Sequence, residues 1–119
     1  MGLTYIRVRV ANPSAPDTGE EVDCLVDSGA VYSLISSAIL ERLGLKSHSA
    51  RTFVLANGER VERRLGTAVF EYQGRRGDSL VVFGEPGDHA LIGATTLEGF
   101  GLILDPFRRE LKPLPMLLG

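Results

Sequence analysis

Cysteine is nearly absent and tryptophan wholly so: the 119 residues hold one Cys and no Trp. With Cys24 alone no internal disulfide can form, which fits a reducing compartment, and the cytoplasm is the expected location. The two histidines, His48 and His89, lie far from each other and from Cys24. The spacing of a metal site is missing, so neither metal nor cofactor is expected. Charge of one sign is not in excess. A formal net charge of −2 gives no reason to expect nucleic acid or an anionic membrane as partner. No apolar run is long enough to span a bilayer. The opening "MGLTYIRVRV" alternates where a signal peptide would run continuously apolar. Gly2 is not followed by the Ser or Thr that myristoylation needs, because Ile6 stands there. No Gly-x-Ser-x-Gly elbow is present, which argues against a serine hydrolase built on Ser28 and a histidine.

What is abundant is glycine, at 14 residues, and this implies many tight turns and a β-rich fold. Apolar residues at 44% and charged residues at 24% are ordinary for a globular chain of one domain, expected to span 1–119. Ile6, Val8 and Val10 alternate with Tyr5, Arg7 and Arg9, a half-buried strand by its period of two. "ANPSAPDTGE" reads as a turn, and "EVDCLVD" as a central strand, since Cys24, Leu25 and Val26 are apolar on both faces. "SSAILERLGL" predicts a helix capped by Ser36 or Ser37 and ended at Gly44. "RTFVLANGERVERRL" predicts a hairpin with Asn57-Gly58 as a two-residue turn. A second hairpin is expected around "GRRG", with Arg75 to Gly77 at a solvated tip. "ALIGATTLEGFG" predicts a short strand, then a helix with a Thr95–Glu98 capping box and a stop at Gly101. "LILD" and "RELKPLPM" are the expected last strands.

Against this pattern one acid is out of place. Asp27 interrupts an apolar run in "CLVDSGAVYSLIS", where a carboxylate would be desolvated unless something pairs with it or shares its proton. The chain also echoes itself. Leu25-Val26-Asp27 matches Leu91-Ile92-Gly93, and in both places small residues and a capped helix follow. Two similar half-motifs meeting about a pseudo-two-fold axis are implied, and only the first carries an acid.

"LVDSGA", the "LANG" hairpin and "ALIGATTLEGFGLILDP", in that order, resemble the retropepsin-like aspartic peptidases, single-domain relatives of retroviral protease with bacterial members. The resemblance covers nearly the whole chain. It implies an all-β fold with one or two short helices, a closed acid-protease barrel, and an active site built by a homodimer. Asp27 of each subunit would meet its copy at the two-fold axis. As in aspartic proteases generally, two carboxylates about 3 Å apart share one proton. The ionised member would take a proton from water and the protonated member would donate to the scissile carbonyl. The resemblance assigns Ser28, Gly29 and Ala30 as support for Asp27, with the Ser28 hydroxyl bonding across the dimer. Ala56, Asn57 and Gly58 would form the tip of a flap over an extended peptide, and Ile92 and Gly93 the second half-motif near the site. The sequence departs from many viral relatives where Val31 and Tyr32 follow Ala30 and Ala94 follows Gly93. Both sides of an ion pair those relatives carry are missing together.

Competing readings exist for each residue. Asp-Ser-Gly also ends strands as plain turn chemistry. Cys24 reads as a small core residue, both histidines as surface residues, and "GERVERR" as a solvated strand face. The function expected is peptide-bond hydrolysis. The alternatives are an inert peptide-binding module on the same fold, or a structural dimer that recruits partners through strand edges. "TYIRVRV" and "ELKPLPM" are the candidate interface, because both would otherwise leave unpaired edges.

Overall fold

Where one sheet face must be buried, the period-two pattern became strand. The computed structural model describes residues 3–115 and Leu118. In chain order its elements are β1 (Tyr5–Asn12), β2 (Ala15–Val26), β3 (Ser33–Ser36), α1 (Ser37–Arg42), β4 (Ser49–Val54), β5 (Arg60–Tyr72), β6 (Arg75–Gly84), β7 (Leu91–Ile92), α2 (Ala94–Phe100), β8 (Leu102–Asp105) and β9 (Glu110–Pro113). The fold is all-β with two short helices. Seven strands form one sheet in the order β1-β2-β7-β3-β6-β5-β4, and β1 also pairs with β5, so the sheet closes on itself. The β8–β9 hairpin stands apart as a second sheet.

Inside the ring, Val8 and Val10 of β1 meet Cys24 and Val26 of β2, Ile35 of β3, Phe70 of β5 and Val81 and Phe83 of β6. Phe70 and Phe83 are the largest side chains with no exposure. Burying each is worth about 1.5–3 kcal/mol. The helices add Leu40 from α1 and Leu97 and Phe100 from α2. Ser36 caps α1 by accepting from the Ile39 N–H at 3.3 Å, and Gly44 and Gly101 follow the helices in the left-handed conformation. Among the described residues no helix is long and apolar enough to cross a membrane.

Several local expectations are corrected. The turn expected over "ANPSAPDTGE" shrinks to Pro13-Ser14, because this ribbon projects into solvent and its strands need no apolar alternation. Asn12 Oδ1 accepts from the Ser14 N–H at 2.9 Å and closes the turn. Asn57-Gly58 is not a two-residue turn. The Gly58 N–H donates to Leu55 O and the Leu55 N–H to Glu59 O, which leaves Ala56, Asn57 and Gly58 as a three-residue loop. Only Gly58 has positive φ (84°), the pattern of a turn followed by a left-handed bulge residue. The tight two-residue turn lies instead at Gln73-Gly74, with φ of 47° and 78°, so Arg75 to Gly77 belong to β6 and not to a tip. The capping box of α2 does not form: Gly93 occupies the cap without a side-chain bond. Strand β3 was not foreseen, since "SLIS" is short and runs directly into the helix cap. The last strand ends at Pro113, and Met116 lies outside the described residues. Both terminal strands keep part of an open edge: β1 is paired on both sides only over Arg9–Ala11 and to β2 alone over Tyr5–Val8, and β9 is paired to β8 alone.

Candidate active site

The internal echo turns out to be a physical pair. β2 and β7 run parallel, with Leu25 opposite Leu91 and Val26 opposite Ile92. Asp27 and Gly93 are the next residues on each strand. The Asp27 N–H donates to Ile92 O at 2.9 Å, so the end of one half-motif fixes the acid of the other. Asp27 then opens a turn that closes when the Ala30 N–H donates to Asp27 O at 3.1 Å. Within it, the Gly29 N–H donates to Asp27 Oδ1 at 3.0 Å and orients the carboxylate.

The turn is held from below. The Ala94 and Thr95 N–H groups donate to Ala30 O (2.7 Å) and Val31 O (3.1 Å). Gly93 has to be glycine, because a Cβ there would lie 2.5 Å from Tyr32 O and 2.9 Å from Ala30 O. A buried hydroxyl chain finishes the support: the Gly93 N–H donates to Ser33 Oγ (3.0 Å), which bonds Thr96 Oγ1 (2.5 Å), which bonds Ser79 Oγ (2.9 Å). Burial in a dry interior strengthens such a network and makes any broken link costly. Thr96 thus serves the interior, where the sequence suggested that its neighbour Thr95 would serve a cap.

Asp27 is half-buried, while Ser28 and Gly29 are exposed. Within one chain the carboxylate is therefore only partly withdrawn from solvent. It looks into a cleft of about 600 Å³. The walls are Val31, Tyr32, Leu34, Val82 and Leu91, and the roof is the β4–β5 hairpin through Phe53, Val54, Leu55, Ala56 and Val61. Gly29, Ala30 and Ala56 line this cleft with Asp27. Ser28, Asn57 and Gly58 do not line it, Ile92 is buried in the core, and Gly93 lies beneath the turn.

The cleft also holds a pair that sequence reasoning missed. Arg63 Nε meets Asp88 Oδ2 at 2.8 Å, with both side chains lining the space. Hydrogen bonding from Arg63 is the main cause that holds the Asp88 carboxyl below its ordinary range. "GERVERR" is therefore not simply a solvated face, since Arg63 turns inward. The alternation Val61–Arg63 was a signal that could have shown it, because Val61 faces the same space. Cys24 is fully buried and burial pushes its thiol up to about 12, which removes it as a nucleophile. His48 and His89 are exposed and outside the cleft.

An acid on a strand-ending turn, a parallel partner strand, and a hairpin roofing an apolar cleft define the retropepsin fold. A family model described as gag-polyprotein putative aspartyl protease matches residues 18–99, and the chain belongs to that family. Among solved structures, the chain is similar to the simian foamy virus (mac) protease at 18% identity and a TM-score of 0.57, over 80% of this chain and 92% of that one. It is similar to the EIAV protease in complex with an inhibitor at 21% identity and a TM-score of 0.56, over 84% and 89%. A retropepsin-like aspartic protease from Rickettsia conorii matches at 27% identity and a TM-score of 0.50, over 87% and 85%.

Proposed function

We propose that the chain is an aspartic endopeptidase, that residues 1–119 act as one domain of this kind, and that the active unit is a homodimer. The observation that carries this reading is a deficit. Among the described residues two carboxylates line the cleft, those of Asp27 and Asp88, and Asp88 is committed to Arg63. The echo position of Asp27 is Gly93, so the second half-motif carries no acid at the matching place. Acid–base hydrolysis without metal needs one carboxylate to accept a proton and another to donate one. A second copy of the chain supplies it.

In such a dimer the two Asp27 side chains hold one proton between them. The ionised carboxylate accepts a proton from a water lying between the acids, and the resulting hydroxide attacks the scissile carbonyl carbon. The other carboxyl gives its proton to the carbonyl oxygen, forming a neutral tetrahedral diol. As the diol collapses, the C–N bond breaks, the nitrogen takes a proton, and a carboxylic acid and an amine leave. Gly29 orients Asp27 through its N–H, Ser28 reaches toward the partner, and Ala30 lies on the cleft floor. Ile92 and Gly93 hold the turn, and Ala56, Asn57 and Gly58 close over the substrate. A peptide lies in the cleft as an added strand, bound through its main chain. A lone buried thiol suits a reducing, cytoplasmic setting.

Asp27→Asn, nearly isosteric, separates the readings. Digestion of a diverse peptide mixture, mapped by mass spectrometry, is expected to give products with the parent and none with the variant. Equal cleavage by the variant overturns the proposal. Peptide affinity without products in the parent would favour the inert binding module, and neither would favour the structural dimer.

A further inference from the structure

Arg51 of β4 and Arg63 of β5 stand directly opposite each other in register at the base of the roof hairpin. Like charges in that position oppose strand pairing. Each guanidinium instead reaches a different wall of the cleft. Arg51 lies over the Tyr32 ring at 5.4 Å and bonds its hydroxyl, while Phe53 packs edge-on against the same ring at 6.4 Å. Arg63 grips Asp88 with two bonds, Nε to Oδ2 at 2.8 Å and Nη2 to Oδ1 at 3.3 Å.

The Asp88 grip is built in advance. Asp88 Oδ2 accepts from the Glu85 N–H at 2.8 Å, and the Asp88 N–H donates to Glu85 O at 2.9 Å, so the carboxylate is fixed by its own turn. This is also the most sheltered ion pair among the described residues, with side chains 19% and 23% exposed. Each other pair has at least one partner exposed by 41% or more. A sheltered two-bond arginine–carboxylate contact holds geometry where an exposed one does not. The segment that carries Asp88 runs on into Leu91-Ile92, whose carbonyl receives the Asp27 N–H. The hairpin is thereby referenced to the strand that positions the acid. Beyond the two anchors, Val54 and Leu55 near the tip stay exposed, at 63% and 43%.

We propose that Arg51 and Arg63 are twin anchors that fasten the base of the flap to the two walls of the cleft, leave only its tip to move, and set the height at which it closes over a peptide. The kinetic part rests on the peptidase reading; the mechanical part does not. The test uses Arg63→Gln, Asp88→Asn, their double variant, and Arg51→Gln, with amide exchange by mass spectrometry on the full chain and steady-state kinetics on a cleaved peptide. Each single variant is expected to speed exchange across β4 and the first half of β5 about tenfold, clearly more than any rise in β2 and β7 that follows from lower global stability. The Arg63–Asp88 double variant should be no faster than the worse single one, as for two ends of one contact. KM should rise about tenfold with kcat within about twofold, the mark of lost positioning and not of lost chemistry. Unchanged flap exchange overturns the anchors, as does faster exchange spread evenly over the whole chain or a fall in kcat at constant KM. If the parent cleaves no peptide, exchange alone decides the anchors, and the peptidase reading fails separately.

Discussion

The backbone of Asp27 donates to the carbonyl of Ile92 across the parallel pair β2–β7. One half of the chain thus supplies the acid and the other half holds it. The same division explains Gly93, which stands where a second acid would stand and is needed there for space. Ala in its place puts a methyl group against the carbonyls of Tyr32 and Ala30, which are backbone and cannot swing away. Gly93→Ala is expected to lower stability by about 1–3 kcal/mol, the usual range for overpacking. The shift in urea midpoint at constant slope measures it, and an unchanged midpoint would show that the turn can yield.

The hydroxyl chain beneath the turn gives a sharper contrast. Thr96→Val keeps the volume but leaves Ser33 and Ser79 without their shared partner. A loss of about 1–3 kcal/mol is expected, since buried polar groups would be stranded. Thr96→Ser, which keeps the hydroxyl, should cost clearly less. Equal losses in the two variants, read by chemical denaturation, would mean that packing and not bonding matters at this position.

Asp88 makes a prediction about pH. Its carboxyl is lowered in the folded chain, chiefly by the hydrogen bond from Arg63, so the folded state binds its proton less readily than the unfolded state. The stabilisation is therefore complete above the unfolded carboxylate value of about 4 and is lost as pH falls through the folded value. Asp88→Asn should be less stable than the parent at neutral pH, and the gap should close in acid. A gap that stays constant from neutral pH into strong acid would contradict the ion pair.

Cys24 should be chemically silent. Buried and raised to about 12, its thiol is neither exposed nor ionised at ordinary pH. A colorimetric thiol reagent at mildly alkaline pH is expected to leave the native chain unmodified and to react once denaturant unfolds it. Rapid native modification would place Cys24 on an accessible surface.

Much of this was legible in the sequence because it rests on local chemistry. Alternation around Val8 and Val10, the Ser36 cap and the Gly44 and Gly101 stops depend on neighbours a few residues away. The Leu25–Val26 echo of Leu91–Ile92 was visible as a repeated string, and its parallel pairing is the simplest way for both strings to share one site. What stayed hidden depends on distant partners. Nothing near Thr96 tells that its hydroxyl meets Ser33 and Ser79, and nothing near Arg63 names Asp88, 25 positions on. Turn type was misjudged at Asn57-Gly58 because a three-residue loop uses the same residues as a two-residue one. It was misplaced at Gln73-Gly74 because the arginines after it suggested a longer tip.

The central claim, that each active site needs an acid from two chains, is tested most directly by subunit mixing. Parent chain at fixed concentration is titrated with Asp27→Asn, and peptide cleavage is followed after exchange of subunits. A ninefold excess of the variant should leave about one-tenth of the activity, because mass action draws most parent chains into dimers with a single Asp27. Activity unmoved by the excess, with mixed dimers demonstrably formed, would mean that one chain carries the whole site and would contradict the account.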